Sequence, residues 1–388
     1  MPLALLLPLA LLLACASPEE TDDTGAAPPG LSTLDLAGRI ADKGVAAWPA
    51  EIQPGDWMQT VWSFGLLRLA QAGGGEGYRD YASTWMDEAV RDLEQGQAGI
   101  VSSDSASPAI IAAVLDDAAH APLRDAADAY LATVPLTSAG AWEHWTDQAP
   151  FGVPDQVWID SQFMLGQYLL ERLRHDPQAQ VAGVGAADLF TTQYLLFRDL
   201  CRDAQDQLYR HAWDDVEGVN IPAEAVYWNR GNAWVLFVGV EALDVLGQDA
   251  SPELRQAVEA HAEAVVAAQD PQTGLWHTVL GDPASDPENY PETSGSALLA
   301  AALARGVAAG HLDPSLGAAV LPAARGVIAM VDDPEGQPVV TGTSFGTNPG
   351  QYEDYVGVPV VDDLILGVGA VLVLLAQVDG WPTDGSLP

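Results

Sequence analysis

The chain has 388 residues, with 15 Lys and Arg against 54 Asp and Glu, giving a formal net charge of −39 at pH 7. A field of that sign repels nucleic acid and anionic lipid, which excludes both as partners and means that an anionic small molecule needs a local cation to be held. Cys15 and Cys201 are the only cysteines, so a chain cleaved at residue 15 has no intrachain disulfide and no cysteine-based metal cluster.

The first element in chain order is an apolar run from Leu3 to Ala14 that ends at Cys15. It is shorter than the roughly 20 residues that a membrane-spanning helix needs, so residues 1–15 read as a cleaved export signal. The tetrad Leu12-Leu13-Ala14-Cys15 resembles the bacterial lipoprotein box, which implies lipidation of Cys15 and contact with a membrane only through that lipid. No Lys or Arg precedes the run, and the alternatives are plain secretion, into a periplasm or beyond, and a retained hydrophobic tail. Residues 16–30, rich in Pro, Asp, Glu, Thr and Gly, bury too little apolar surface to fold and read as a disordered tether. Residues 31–388 are left as one folded domain.

Through that domain apolar residues recur at spacings of three and four, and alternating strand-like runs are few. The pattern predicts helices over 32–47, 57–72, 77–93, 108–116, 122–133, 156–175, 185–203, 230–246, 252–269, 294–309, 314–331 and 363–378. Pro108, Pro252 and Pro314 stand where a first-turn proline is tolerated, and Ser251 and Asp313 precede two of them as N-caps. Helices 57–72, 230–246, 294–309 and 363–378 are apolar nearly all round, as inner helices must be, whereas 77–93 and 252–269 have charged faces suited to an outer layer. Six antiparallel pairs follow, and the fold class is all-α. A solenoid of such pairs would show a fixed sequence repeat, and none is visible, so a closed toroid is expected. Its specificity would lie on rim loops such as 138–154 and 281–291.

No phosphate-binding Gly loop, metalloprotease helix, calcium loop or nucleophile elbow is present, and the seven His lack ligand spacing, so the sequence calls for no cofactor and no metal. Asp160, in Trp158-Ile159-Asp160-Ser161, opens a predicted helix among apolar neighbours. It could simply favour the positive end of the helix dipole. If it faces a cleft beside Trp158, desolvation would raise its pKa and make it a proton donor. Farther on, Tyr227-Trp228-Asn229-Arg230-Gly231-Asn232-Ala233-Trp234 sets aromatic rings and a guanidinium across one helix N-terminus. Trp faces stack on sugar rings and Arg grips carboxylates, while Gly231 and Asn232 suggest close approach of a ligand. The alternative is a structural Trp pair with a surface ion pair.

These blocks lie in one order with Trp57-Met58-Gln59-Thr60-Val61-Trp62, Gly274-Leu275-Trp276-His277, Tyr290-Pro291-Glu292-Thr293-Ser294-Gly295-Ser296 and Gly367-Val368-Gly369-Ala370. Together they resemble the unsaturated glucuronyl and rhamnogalacturonyl hydrolases of glycoside hydrolase families 88 and 105. The resemblance implies an (α/α)6 barrel with Asp160 and Asp104 as catalytic residues. It implies substrate binding by His211, Trp228, Arg230, Trp234 and His144. Around Asp104 the run Ser103-Asp104-Ser105-Ala106-Ser107-Pro108 departs from the usual Asn-Pro-Gly. The implied reaction removes a terminal 4,5-unsaturated uronic acid from an oligosaccharide by hydrating its C4=C5 bond. Asp160 acts as acid and base, and Asp104 raises the Asp160 pKa by like-charge repulsion. Two other readings stay open: a noncatalytic surface sugar-binding lipoprotein, and another helical-barrel sugar enzyme. The latter would be an ordinary glycosidase or an epimerase using His211 with His277.

Overall fold

The computed structural model of the chain describes residues 32–52, 56–149, 152–181, 183–281 and 286–383. The expected export signal over 1–15, with Cys15, and the expected tether over 16–30 lie outside the described residues. Twelve barrel helices follow one another: α1 (Leu34–Ala47), α2 (Trp57–Gln71), α3 (Gly77–Glu94), α4 (Pro108–Leu115), α5 (Ala121–Leu131), α6 (Tyr168–His175), α7 (Ala186–Cys201), α8 (Asn229–Leu246), α9 (Pro252–Ala267), α10 (Thr293–Ala308), α11 (Val320–Ala329) and α12 (Ile365–Gln377). Among the described residues no helix is long and apolar enough to cross a membrane.

Even-numbered helices form the inner ring. α4 buries all its residues and α8 buries every residue from Asn229 to Leu243. The outer helix α3 buries Tyr78, Tyr81, Ala82, Trp85, Met86 and Ala89 at helical spacing and turns its charges to solvent. Around the ring α2 packs on α4, α4 on α6, α6 on α8, α8 on α10, α10 on α12, and α12 returns to α2. That last contact closes the toroid, so the expected (α/α)6 barrel is the fold. Glycine makes the closing contact possible: a Cβ on Gly65 would strike the Gly369 carbonyl, and one on Gly369 would strike the Val61 carbonyl.

The helix starts are set locally, as the sequence suggested. Ser251 Oγ accepts the Leu254 N–H at 3.1 Å ahead of Pro252. Asp313 caps a 3-10 segment, Pro314–Ala319, that leads into α11. Asp56 caps α2 by accepting the N–H groups of Met58 and Gln59, and Glu292 caps α10 through Ser294 and Gly295.

One predicted helix is corrected. Over 156–175 the chain begins as strand β1 (Gln156–Trp158), passes Asp160, makes a π-helical turn (Gln162–Gln167) and only then enters α6. β1 pairs antiparallel with β2 (Ala212–Asp214), with Trp158 opposite Ala212, and β2 pairs with β3 (Val219–Ile221). Val157, Trp158 and Ile159 suit a pleated strand, and the Ile159 N–H donates to the His211 carbonyl at 3.0 Å. A second hairpin joins β4 (Tyr227–Trp228) to β5 (Val279–Leu280). Both sheets lie where inner helices begin, and so they build the rim.

Candidate active site

Asp160 stands between the end of β1 and the π turn, its carbonyl accepting from the Phe163 and Met164 N–H groups. Its side chain is 14% exposed. Oδ2 lies 3.0 Å from His211 Nε2, and His211 Nδ1 lies 3.1 Å from the Tyr355 hydroxyl. Burial pushes the Asp160 carboxyl up, but the His211 ring, its hydrogen bond and the His144 ring outweigh this and hold it below the ordinary carboxylate range. Burial, helped by the His144 and Arg230 charges, lowers His211 by more than Asp160 raises it. The expected upward shift of Asp160 is therefore overturned, because two imidazoles face it.

His144 is buried, with Nδ1 on Ser103 Oγ at 2.8 Å and on Ser161 Oγ at 3.0 Å. Its Nε2 lies 3.6 Å from Asp104 Oδ1. Asp104 sits on a helical turn, Ser103–Ala106, closed by a capping box between Ser102 and Ser105. Its neighbour is thus an imidazole, and it is not among the leading influences on Asp160, which are burial, His211 and His144. Like-charge repulsion from Asp104 does not set the Asp160 proton affinity, contrary to expectation.

The rings form one column. His144 stacks on Trp158 at 4.5 Å and 13°, Trp158 meets His211 edge-on at 5.8 Å, and His211 stacks on Trp228 at 4.3 Å. Each imidazole has one carboxylate beside it. Over Trp228 lies the Arg230 guanidinium, 4.8 Å from the ring centroid.

Residues 36–379 match the profile of Glycosyl Hydrolase Family 88. The chain belongs to that family. It is 27% identical over 252 residues to "Unsaturated rhamnogalacturonyl hydrolase YesR" of Bacillus subtilis (strain 168), covering 64% of this chain and 70% of that one. It is also 27% identical over 233 residues to "Unsaturated 3S-rhamnoglycuronyl hydrolase" of Alteromonas sp. (strain LOR), covering 58% of this chain and 51% of that one. A crystal structure described as a possible member of the GH105 family, from Klebsiella pneumoniae, superimposes with a TM-score of 0.76 at 19% identity, covering 95% and 98% of the two chains. The unsaturated glucuronyl hydrolase of Bacillus sp. GL1 does so with a TM-score of 0.68 at 17% identity over 92% and 99%.

In this family 88 barrel the predicted site residues divide. Asp160, Asp104, His144, His211 and Trp228 come together in or against the column. Arg230 and Trp234 do not reach the cleft surface. Arg230 is fully buried, and its guanidinium donates to the Ser344 carbonyl at 3.0 Å, the Phe345 carbonyl at 2.7 Å and Thr347 Oγ1 at 3.2 Å, with Glu292 3.6 Å away. It ties the segment 344–347 to the rim and acts on the cleft through its charge. Trp234 packs against Phe163 at 4.7 Å inside the core. Gly231 leaves room for the Trp228 and Ile159 side chains, and Asn232 clamps the Tyr209 backbone at both N–H and carbonyl. Neither serves close approach of a ligand. His277 is engaged with the Asn289 carbonyl and Asp270, and forms no pair with His211.

Sequence reading missed Tyr355, Asp56 and the buried acid Glu292. Asp56 had a signal, since an acid directly before the inner helix at Trp57 is a natural cap. Burial raises its pKa, and Asp104 adds to the shift. Tyr355 had none, because its partner lies 144 residues away in sequence.

Proposed function

We propose that this family 88 protein removes a terminal 4,5-unsaturated uronic acid from an oligosaccharide by hydrating the C4=C5 bond, with Asp160 as acid and base. The observation that carries this reading is Asp160 itself. It is a slightly exposed carboxylate held by a buried imidazole, on an aromatic column at the rim where all six inner helices begin. The activities for which the Bacillus subtilis and Alteromonas relatives are named support it.

The rim offsets the adverse charge of the chain. Inner-helix N-termini direct their positive dipole ends toward it, and Arg230 adds a buried charge close enough to be felt by Asp160. An entering uronate brings negative charge next to Asp160 and His211, and raises the affinity of that pair for one proton. Asp160 then protonates C4, and positive charge develops at C5 and the ring oxygen. Water attacks C5, Asp160 takes its proton, and the resulting hemiketal opens to release the rest of the sugar. Asp104, beside His144 at 3.6 Å, holds ring hydroxyls and stabilises the developing charge.

The test mixes the protein with unsaturated oligosaccharides made by pectin, ulvan, heparin and chondroitin lyases and follows near-ultraviolet absorbance. Loss of absorbance on at least one of them is expected. Folded protein that leaves all of them unchanged, while binding them, would shift the reading to a sugar-binding protein. Export and acylation at Cys15 belong to the same proposal, and the mass of the mature N-terminal peptide tests them.

A further inference from the structure

We infer that Tyr355 is a positioning residue for Asp160, acting through His211: its phenol fixes the imidazole in the tautomer that presents an N–H to the catalytic carboxylate. The inference rests on the reading of Asp160 as the acid and base.

One chain of hydrogen bonds runs from Gly350 through Tyr355 and His211 to Asp160. The Gly350 N–H, which can only donate, lies 3.2 Å from the Tyr355 oxygen. That leaves the phenol to donate its own proton, and His211 Nδ1 at 3.1 Å is the acceptor in reach. Burial keeps the phenol protonated far above neutral pH, so the donor persists. A neutral imidazole that accepts at Nδ1 carries its hydrogen on Nε2, and this atom is 3.0 Å from Asp160 Oδ2. The opposite tautomer would load the Tyr355 oxygen with two N–H groups. It would also set the Nε2 lone pair against an ionised carboxylate.

Tyr355 at Nδ1 and ionised Asp160 at Nε2 favour the same tautomer, and only the phenol keeps favouring it once Asp160 takes up its proton. His211 is fully buried, so water does not compete for its ring nitrogens. The ring is stacked on Trp228 and edge-on to Trp158, which resists a flip. The charged or titratable groups acting on it are Asp160, His144 and Arg230, and of these only Asp160 touches it. Tyr355 is itself well anchored. It rides on the short helix Tyr352–Val356, whose start is closed by Gln351 with Asp354, and its ring stacks with Trp228 at 6.5 Å.

Two measurements test this. In wild-type protein at neutral pH, nitrogen-15 NMR of His211 should show the Nε2–H tautomer. The Nδ1–H form or an imidazolium would overturn the inference whether or not the protein is active, whereas the expected tautomer in an inactive protein would sink the hydrolase reading alone. In the Tyr355→Phe variant, kcat should fall roughly tenfold or more, with KM changed less than about threefold because the phenol does not touch substrate. The alkaline limb of the kcat/KM profile, where Asp160 loses the proton it must donate, should move to higher pH as protonated Asp160 becomes easier to accommodate. A variant with unaltered kcat and pH profile, or one that changes KM alone, would remove Tyr355 from this role.

Discussion

The two ends of the barrel both bury charge, and they do so in opposite ways. At the end where the inner helices finish, Glu241 is met by Arg68 at 2.8 Å, by Arg305 at 2.9 Å and by Arg174. Asp244 has Arg174 at 3.3 Å together with Arg305, and Glu171 has Arg68 at 3.4 Å and the Gln167 amide at 2.8 Å. Three of the chain's few arginines, from α2, α6 and α10, are thus spent on neutralising carboxylates across the floor. At the rim, Asp160 and Asp104 have one imidazole each and no guanidinium in contact. Full neutralisation locks a carboxylate in its ionised form. A single uncharged partner leaves it able to gain and lose a proton, which is what acid and base chemistry needs.

Substitutions at the two ends should therefore separate activity from stability. Asp160→Asn should lower kcat by about a thousandfold or more and leave the thermal midpoint near that of wild type; an active variant would remove Asp160 from its role. At the floor, Glu241→Gln should cost about 3–5 kcal/mol of stability, because three arginines lose their buried partner. Its kcat, read on folded protein at low temperature, should stay within a few-fold, and a large loss of kcat would erase the contrast between the ends. Asp104→Asn should have a smaller effect than Asp160→Asn, about ten- to a hundredfold on kcat/KM, and an equal loss would mean that the carboxylates act as a symmetric pair.

Acid should act on the buried groups in turn. Burial holds His261 down to about 3, and His211 is also lowered, so the folded state binds fewer protons than the unfolded chain there. Stability from these rings is present above about pH 6.5 and is lost as pH falls below it. Glu241 is depressed because its arginines outweigh burial, so its contribution is present above the ordinary glutamate range and is lost only as pH falls through its lower folded value. Thermal midpoints measured against pH should decline in two stages, and Glu241→Gln should weaken the second. A single stage unaffected by that substitution would contradict the assignment.

Much of this was legible from the chain. Periodicity separated inner from outer helices because an inner helix has no solvent-facing side to hold charge, and caps such as Ser251 and Asp313 mark helix starts through bonds only two or three residues long. Asp160, His211 and Trp228 stood out by ordered motifs. What the sequence hid are properties that depend on distant partners. Gln156–Trp158 becomes a strand only because Ala212–Asp214 pairs with it. Arg230 looks available until the segment 344–347 covers it, and Gly65 and Gly369 are unremarkable until α12 returns to α2. The helical alternation, the barrel class and Asp160 as a candidate acid were legible in the sequence, since these follow from local spacing and motif. Only the tertiary structure decided how readily Asp160 holds its proton, because that depends on His211, His144 and Tyr355, which no local pattern brings to one place.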